Sequence, residues 1–74
     1  MESLLRAGKE TIEDVYQRHV VMLYRVAYSF MKNGPDAEDM VQEAFVRLLH
    51  SGMTFHSPEH EKAWLIVTVS NLCK

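Results

Sequence analysis

The segment from Pro35 to Leu49 constrains the fold more than any other part of the chain. Its apolar residues recur at intervals of three and four positions, and they are Ala37, Met40, Val41, Ala44, Phe45, Leu48 and Leu49. Such intervals align side chains along one side of an α-helix. The pattern predicts an amphipathic helix over about residues 35–50, which must bury one face against other elements.

The opposite side of this predicted helix carries a row of mostly polar residues, spaced by three or four positions: Asp39, Gln42, Glu43 and Val46. We call it the polar row. Acids in a first helical turn gain about 0.3–1 kcal/mol from the helix dipole, which explains Asp36 and Glu38. Glu43 lies too far along the helix for that explanation. Two interpretations stay open from spacing alone, a solvated face and a docking surface for a basic partner.

A second helix is predicted over residues 11–32. Thr11 and Asp14 have the spacing of a capping box. Apolar positions then follow at helical spacing, namely Ile12, Val15, Tyr16, His19, Leu23, Val26, Ala27 and Phe30, with a second row of Val20, Tyr24, Tyr28 and Met31. Because the two apolar rows cover more than half of the helix circumference, this helix is predicted to be the central, most buried one. The alternative is that Tyr24, Tyr28 and Met31 contact a partner. Residues 1–10 show no clear period and are expected to be a poorly ordered lead-in.

The remaining segments complete an all-α fold. Asn33 or Gly34 can take a left-handed helix end and Pro35 can open the next helix, so the short turn predicts antiparallel neighbours. Ser57 and Pro58 start a third helix over residues 58–74. Its β-branched centre could form a strand, but no second strand exists to pair with it, and an apolar row favours a helix: Leu65, Ile66, Val69, Leu72 and Cys73. The expected fold is a small bundle of three main helices.

Composition narrows the functional classes. The chain has 74 residues, 47% hydrophobic and 24% charged, with one cysteine and a net charge of −2. This predicts one small globular domain without an internal disulfide. No signal pattern or membrane-length apolar run is seen, so we expect a soluble cytoplasmic protein. The acidic balance argues against independent binding to duplex DNA. We expect no cofactor and no enzyme, because phosphate loops and nucleophile motifs are absent from the sequence.

Histidines raise the question of a metal site. His56 and His60 are four positions apart, but Pro58 lies between them and no third ligand has a fitting spacing. His50 suits a helix end, where a positive charge complements the dipole. We therefore expect no metal.

Two blocks of sequence resemble one known family. The run Asp36-Ala-Glu-Asp-Met-Val-Gln-Glu-Ala-Phe-Val-Arg-Leu-Leu49 is similar to the signature of bacterial sigma factors of the extracytoplasmic-function (ECF) group. The tail, with Lys62-Ala-Trp-Leu-Ile66 and Asn71-Leu-Cys-Lys74, resembles the promoter-melting helix of the same group. Both blocks occur in the family's order, and the resemblance covers about residues 10–74. It corresponds to sigma region 2, which binds core RNA polymerase and the minus-ten promoter element.

The resemblance implies specific roles. The polar row would dock the basic coiled coil of the polymerase's largest subunit, through Asp39, Gln42, Glu43 and Val46. The non-template strand of the minus-ten element would be bound by a loop and the third helix, through Thr54, Phe55, His56, Lys62, Trp64, Thr68 and Asn71. From the residues alone, Trp64 is a core aromatic and Phe55 folds back onto the core. An anti-sigma factor is a further expected partner.

The third helix departs from the family's pattern at one position. Relatives often carry a basic residue where Val67 stands, so phosphate contacts there are in question. The alternative function is therefore a helical protein-interaction domain without DNA activity of its own. Members of the group continue into a second domain that reads the minus-thirty-five element.

Overall fold

The computed structural model describes residues 11–74, which form three helices and no strand. Helix α1 spans Ile12–Met31, α2 spans Gly34–Ser51 and α3 spans Pro58–Cys73, and each packs against the other two. The prediction of an all-α bundle of three helices is confirmed, with helix ends within one residue of those expected. The expected lead-in over residues 1–10 lies outside the described residues.

Side-chain caps define where each helix begins. The Thr11 hydroxyl accepts a hydrogen bond from the Asp14 N–H at 3.3 Å, and the Asp14 carboxylate accepts one from the Thr11 N–H at 3.1 Å. The Ser57 hydroxyl accepts one from the His60 N–H at 3.1 Å, with Pro58 as the first helical residue. These bonds satisfy N–H groups that a helix leaves without an internal partner.

The turn between α1 and α2 differs from the prediction. Neither Asn33 nor Gly34 takes the left-handed conformation; Lys32 does, with φ of 67°, and its N–H bonds to the Tyr28 carbonyl at 2.8 Å. Asn33 is extended and caps α2 by accepting from the Asp36 N–H at 2.9 Å. Asn33 cannot serve both helices in one conformation, so the left-handed position falls one residue earlier.

The core is centred on α2, not on α1 as predicted. Within residues 11–74, ten apolar side chains are buried: Val15, Leu23, Ala27, Ala37, Val41, Ala44, Phe45, Leu48, Leu65 and Val69. Half of them belong to α2. In α1, Ile12 and Phe30 are exposed near the two ends of the predicted row, and Tyr28 is exposed on the second row. The core is too short to cover both ends of a helix as long as α1.

Helix α3 buries a narrower row than expected. Leu65 and Val69 are buried, whereas Ile66, Leu72 and Cys73 are half-buried. One turn before Leu65, the same row places Glu61 in the interior. Within residues 11–74, no helix has both the length and the apolar character that crossing a membrane requires.

Candidate functional site

The polar row lies on the exposed side of α2. Asp39, Gln42 and Glu43 are exposed, and so is Val46. The Glu43 carboxylate lies 3.6 Å from Nε of Arg47, one turn further along the helix. An exposed pair of this kind is weak, so the carboxylates of the row remain accessible to a stronger basic partner. The helix needed for the predicted docking surface is thus present, and its binding role stays a prediction.

A groove of about 540 Å³ separates the end of α2 from α3. It is lined by Glu43, Val46, Arg47, His50, Ser51, Trp64, Thr68, Asn71 and Leu72. The structure therefore brings two residues of the polar row together with three of the predicted DNA-binding residues. Arg47 and His50 were missed from sequence, although their spacing from Glu43 places them on the same side of the helix.

The three groove residues of α3 differ in what they offer a ligand. Trp64 is half-buried, so the core role predicted from its residue type is only partly met, and part of its ring faces the groove. The Thr68 hydroxyl donates to the Trp64 carbonyl at 2.8 Å, which leaves its oxygen as an acceptor. Asn71 is exposed and offers an amide, a group that can read a base edge. Lys62 is exposed on α3 but does not line this groove.

Residues 52–57 form the connecting loop between α2 and α3. It begins at Gly52, whose φ of 69° favours glycine, and the Met53 N–H donates to the Ser51 hydroxyl at 3.1 Å. Thr54 is exposed, and Phe55 is half-buried against the core. The loop is therefore anchored at its start and at Phe55.

Four rings form an aromatic cluster at this loop. Phe55 meets His60 edge-on at 5.2 Å between ring centroids and meets Trp64 at 6.0 Å. His56 stacks on His60 at 5.8 Å with an interplanar angle of 10°. His60, in the first turn of α3, thus supports two of the predicted DNA-binding residues, Phe55 and His56. His60 was considered as a metal ligand from its spacing to His56, and its contacts within this cluster were not predicted.

A buried polar network joins α1 to the start of α3. Oε1 of Glu61 lies 2.8 Å from Nη1 of Arg18, which donates to it, and 2.8 Å from Nε2 of His19. The His19 and Glu61 side chains are 5% and 9% exposed. Arg18 and Glu61 also line a second groove, of about 700 Å³, together with Thr54, Phe55 and His56. The network therefore fixes the wall against which the connecting loop lies.

One further reactive group, the Cys73 thiol, has simpler surroundings. Burial raises the pKa of the Cys73 thiol above its usual value, which disfavours the reactive thiolate. In residues 11–74, no group of three or more His, Cys, Asp or Glu side chains is placed to hold a metal ion.

Comparison with known protein families decides which family the chain belongs to. The family described as sigma-70 region 2 matches residues 15–74 of this chain. The chain belongs to the sigma-70 region 2 family. That match includes the polar row, the connecting loop, α3 and every member of the buried network. The resemblance seen in the sequence is confirmed.

Curated relatives agree with this assignment. The chain is 33% identical over 58 residues to "ECF RNA polymerase sigma factor SigX" of Bacillus subtilis, covering 78% of this chain and 30% of that protein. It is 44% identical over 46 residues to "RNA polymerase sigma factor SigV" of the same organism, covering 62% and 28%. It is 31% identical over 67 residues to "ECF RNA polymerase sigma factor SigE" of Mycolicibacterium smegmatis, covering 90% and 26%.

The chain thus spans less than a third of the length of each of these relatives. No solved structure matches it at a significant level. Within sigma-70 region 2, the arrangement of α2, the connecting loop and α3 described above is the candidate site.

Proposed function

We propose that this region 2 domain binds core RNA polymerase and captures unpaired minus-ten promoter DNA during transcription initiation. One observation supports this most directly. Two residues of the exposed polar row, Glu43 and Val46, border the same groove as Trp64, Thr68 and Asn71 of α3. A domain that must hold a polymerase and a DNA strand together requires two such neighbouring surfaces. The family match, and relatives whose names describe RNA polymerase sigma factors, support this choice of partners.

Polymerase docking is assigned to Asp39, Gln42, Glu43 and Val46. Two carboxylates and an amide can accept hydrogen bonds from Arg and Lys side chains, and charge-assisted bonds of this type are the stronger ones. Val46, 41% exposed, offers apolar contact beside them. The complementary partner is a basic surface, as on the coiled coil of the polymerase's largest subunit.

DNA capture is assigned to the connecting loop and α3, through Thr54, Phe55, His56, Lys62, Trp64, Thr68 and Asn71. Extracting a base from its stack costs a few kcal/mol, so the receiving site needs aromatic surface and polar edges. Base stacking on an aromatic side chain recovers about 1–3 kcal/mol. The cluster around Phe55 supplies aromatic surface, and Asn71 and Thr54 supply polar groups.

The net charge of −2 indicates how these two activities depend on each other. Protein affinity for nucleic acid comes largely from positive charge that displaces counterions. A domain of this charge is expected to hold DNA only when polymerase positions it. The role is one of binding, not catalysis, in the cytoplasm, and an anti-sigma factor is the expected regulator.

The docking half is tested by charge reversal within the row. Glu43→Lys and Gln42→Ala should each reduce co-purification with core polymerase, with the larger loss for Glu43→Lys because it places a positive charge opposite a basic surface. Glu38→Lys makes the same charge change at an exposed position of α2 outside the row and should bind normally. Circular dichroism confirms that each variant is folded. Normal co-purification of Glu43→Lys would contradict the assignment.

The DNA half is tested with a labelled single-stranded minus-ten oligonucleotide. Core polymerase with the domain should retain the oligonucleotide more tightly than core polymerase alone, whereas the domain alone should not retain it. Equal retention with and without the domain would favour the alternative, an interaction domain without DNA activity.

A further inference from the structure

We propose that Arg47 is a phosphate-binding residue of this domain, contacting the backbone of the unpaired DNA strand from the α2 side of the groove. The proposal rests on the proposed function and adds to it a DNA contact on the helix that docks polymerase. No residue of α2 was assigned to DNA by the resemblance.

The position of Arg47 is the first argument. It follows Glu43 by one turn and lines the α2 wall of the groove, while Trp64, Thr68 and Asn71 line the α3 wall. Its side chain is 57% exposed, so the guanidinium can reach a ligand in the groove without unfolding any part of the core. A strand held by the α3 wall would lie within the same groove.

The charge distribution is the second argument. The α3 wall of the groove is uncharged, since it consists of Trp64, Thr68, Asn71 and Leu72. Relatives often carry a basic residue where Val67 stands. Val67 is 58% exposed, but its apolar side chain has no charge with which to bind a phosphate. Arg47 lines the groove and carries a permanent positive charge. Its planar guanidinium can bind two phosphate oxygens at once.

The ion pair with Glu43 does not oppose this role. At 3.6 Å and with both side chains about half exposed, it is a weak pair that changes the availability of Arg47 by about twofold. Polymerase docking on Glu43 would also engage the carboxylate, leaving the guanidinium to the groove.

The experiment uses the complex of the domain with core polymerase and the labelled minus-ten oligonucleotide, titrated at several salt concentrations. Arg47→Gln should weaken oligonucleotide binding about tenfold at low salt. Because one phosphate contact on a single strand contributes about 0.7 to the slope of log K against log salt, the slope should fall by about that amount. Arg25→Gln is the matched control: it removes an exposed arginine of α1 that does not line the groove and should change neither quantity.

The outcomes separate this proposal from the proposed function. If wild-type complex retains the oligonucleotide and Arg47→Gln has the affinity and salt slope of Arg25→Gln, the assignment of Arg47 is overturned alone. If Arg47→Gln instead reduces co-purification with polymerase, Arg47 belongs to the docking surface and the proposal is also overturned. If wild-type domain adds no retention, both fail.

Discussion

The buried network of Arg18, His19 and Glu61 offers the sharpest test of how this small domain is held together. Glu61→Leu removes the carboxylate and leaves Nε2 of His19 in the interior without its partner at 2.8 Å. A buried polar group left unsatisfied costs about 1–3 kcal/mol. His19→Leu is expected to cost about as much, because a hydrogen bond to a charged group contributes about 1.5–3 kcal/mol.

The double variant should be more stable than the sum of these losses predicts. Replacing both buried partners with apolar groups of similar size is often close to neutral. Arg18, whose side chain is 36% exposed, can turn toward water once Glu61 is gone. We therefore expect a coupling free energy of about 2–3 kcal/mol between His19 and Glu61, in the range measured for residues of one network.

Urea unfolding, monitored by circular dichroism, gives the free energy of unfolding of the wild-type chain, the two single variants and the double variant. Together these four proteins form a double-mutant cycle. A chain of 74 residues has a free energy of unfolding of about 4–11 kcal/mol, so each single variant loses a large but measurable share. Equal m-values would show that the unfolded states remain comparable. If the double variant is destabilised by the sum of the two single losses, within about 0.5 kcal/mol, the two residues are not coupled and the reasoning is wrong.

Two further predictions concern the backbone and the thiol. Lys32→Gly should raise the free energy of unfolding by about 0.5–1 kcal/mol. The left-handed conformation costs a non-glycine residue about 1–2 kcal/mol, and glycine's greater flexibility in the unfolded chain offsets part of that gain. Unchanged stability in urea unfolding would contradict this. Cys73 should react with iodoacetamide at pH 8 more slowly than the same cysteine in urea-unfolded chain, because its raised pKa disfavours the thiolate, and equal rates by mass spectrometry would count against that prediction.

Much of the fold was predictable because its signals are local. Helical spacing of apolar residues and the caps at Thr11 and Ser57 depend only on nearby residues, and the structure places all three helices accordingly. The turn was less predictable, since Asn33 could end one helix or begin the next, and local rules favour both. The burial of α1 was overestimated because periodicity does not show how far the neighbouring helices extend.

The buried network shows which structural features helical periodicity can predict and which it cannot. Glu61 precedes Leu65 and Val69 by one and two turns, so its position on the buried row was readable from spacing. A carboxylate is nevertheless expected to be exposed unless a partner is present. His19 supplies that partner from a helix more than forty positions away, and no local rule reports such a pairing.

Helix α2 explains how one short segment can serve three purposes. Its buried side packs Val41 and Phe45 into the core, its exposed side carries the polar row, and its end lines the groove with Arg47. Because the helical repeat separates the buried side from the exposed side, which carries both Glu43 and Arg47, substitutions on the exposed side need not disturb the core. Charge changes at Glu43 and Arg47 should therefore test the proposed docking and DNA-binding roles while leaving the fold intact, as substitutions in the core could not.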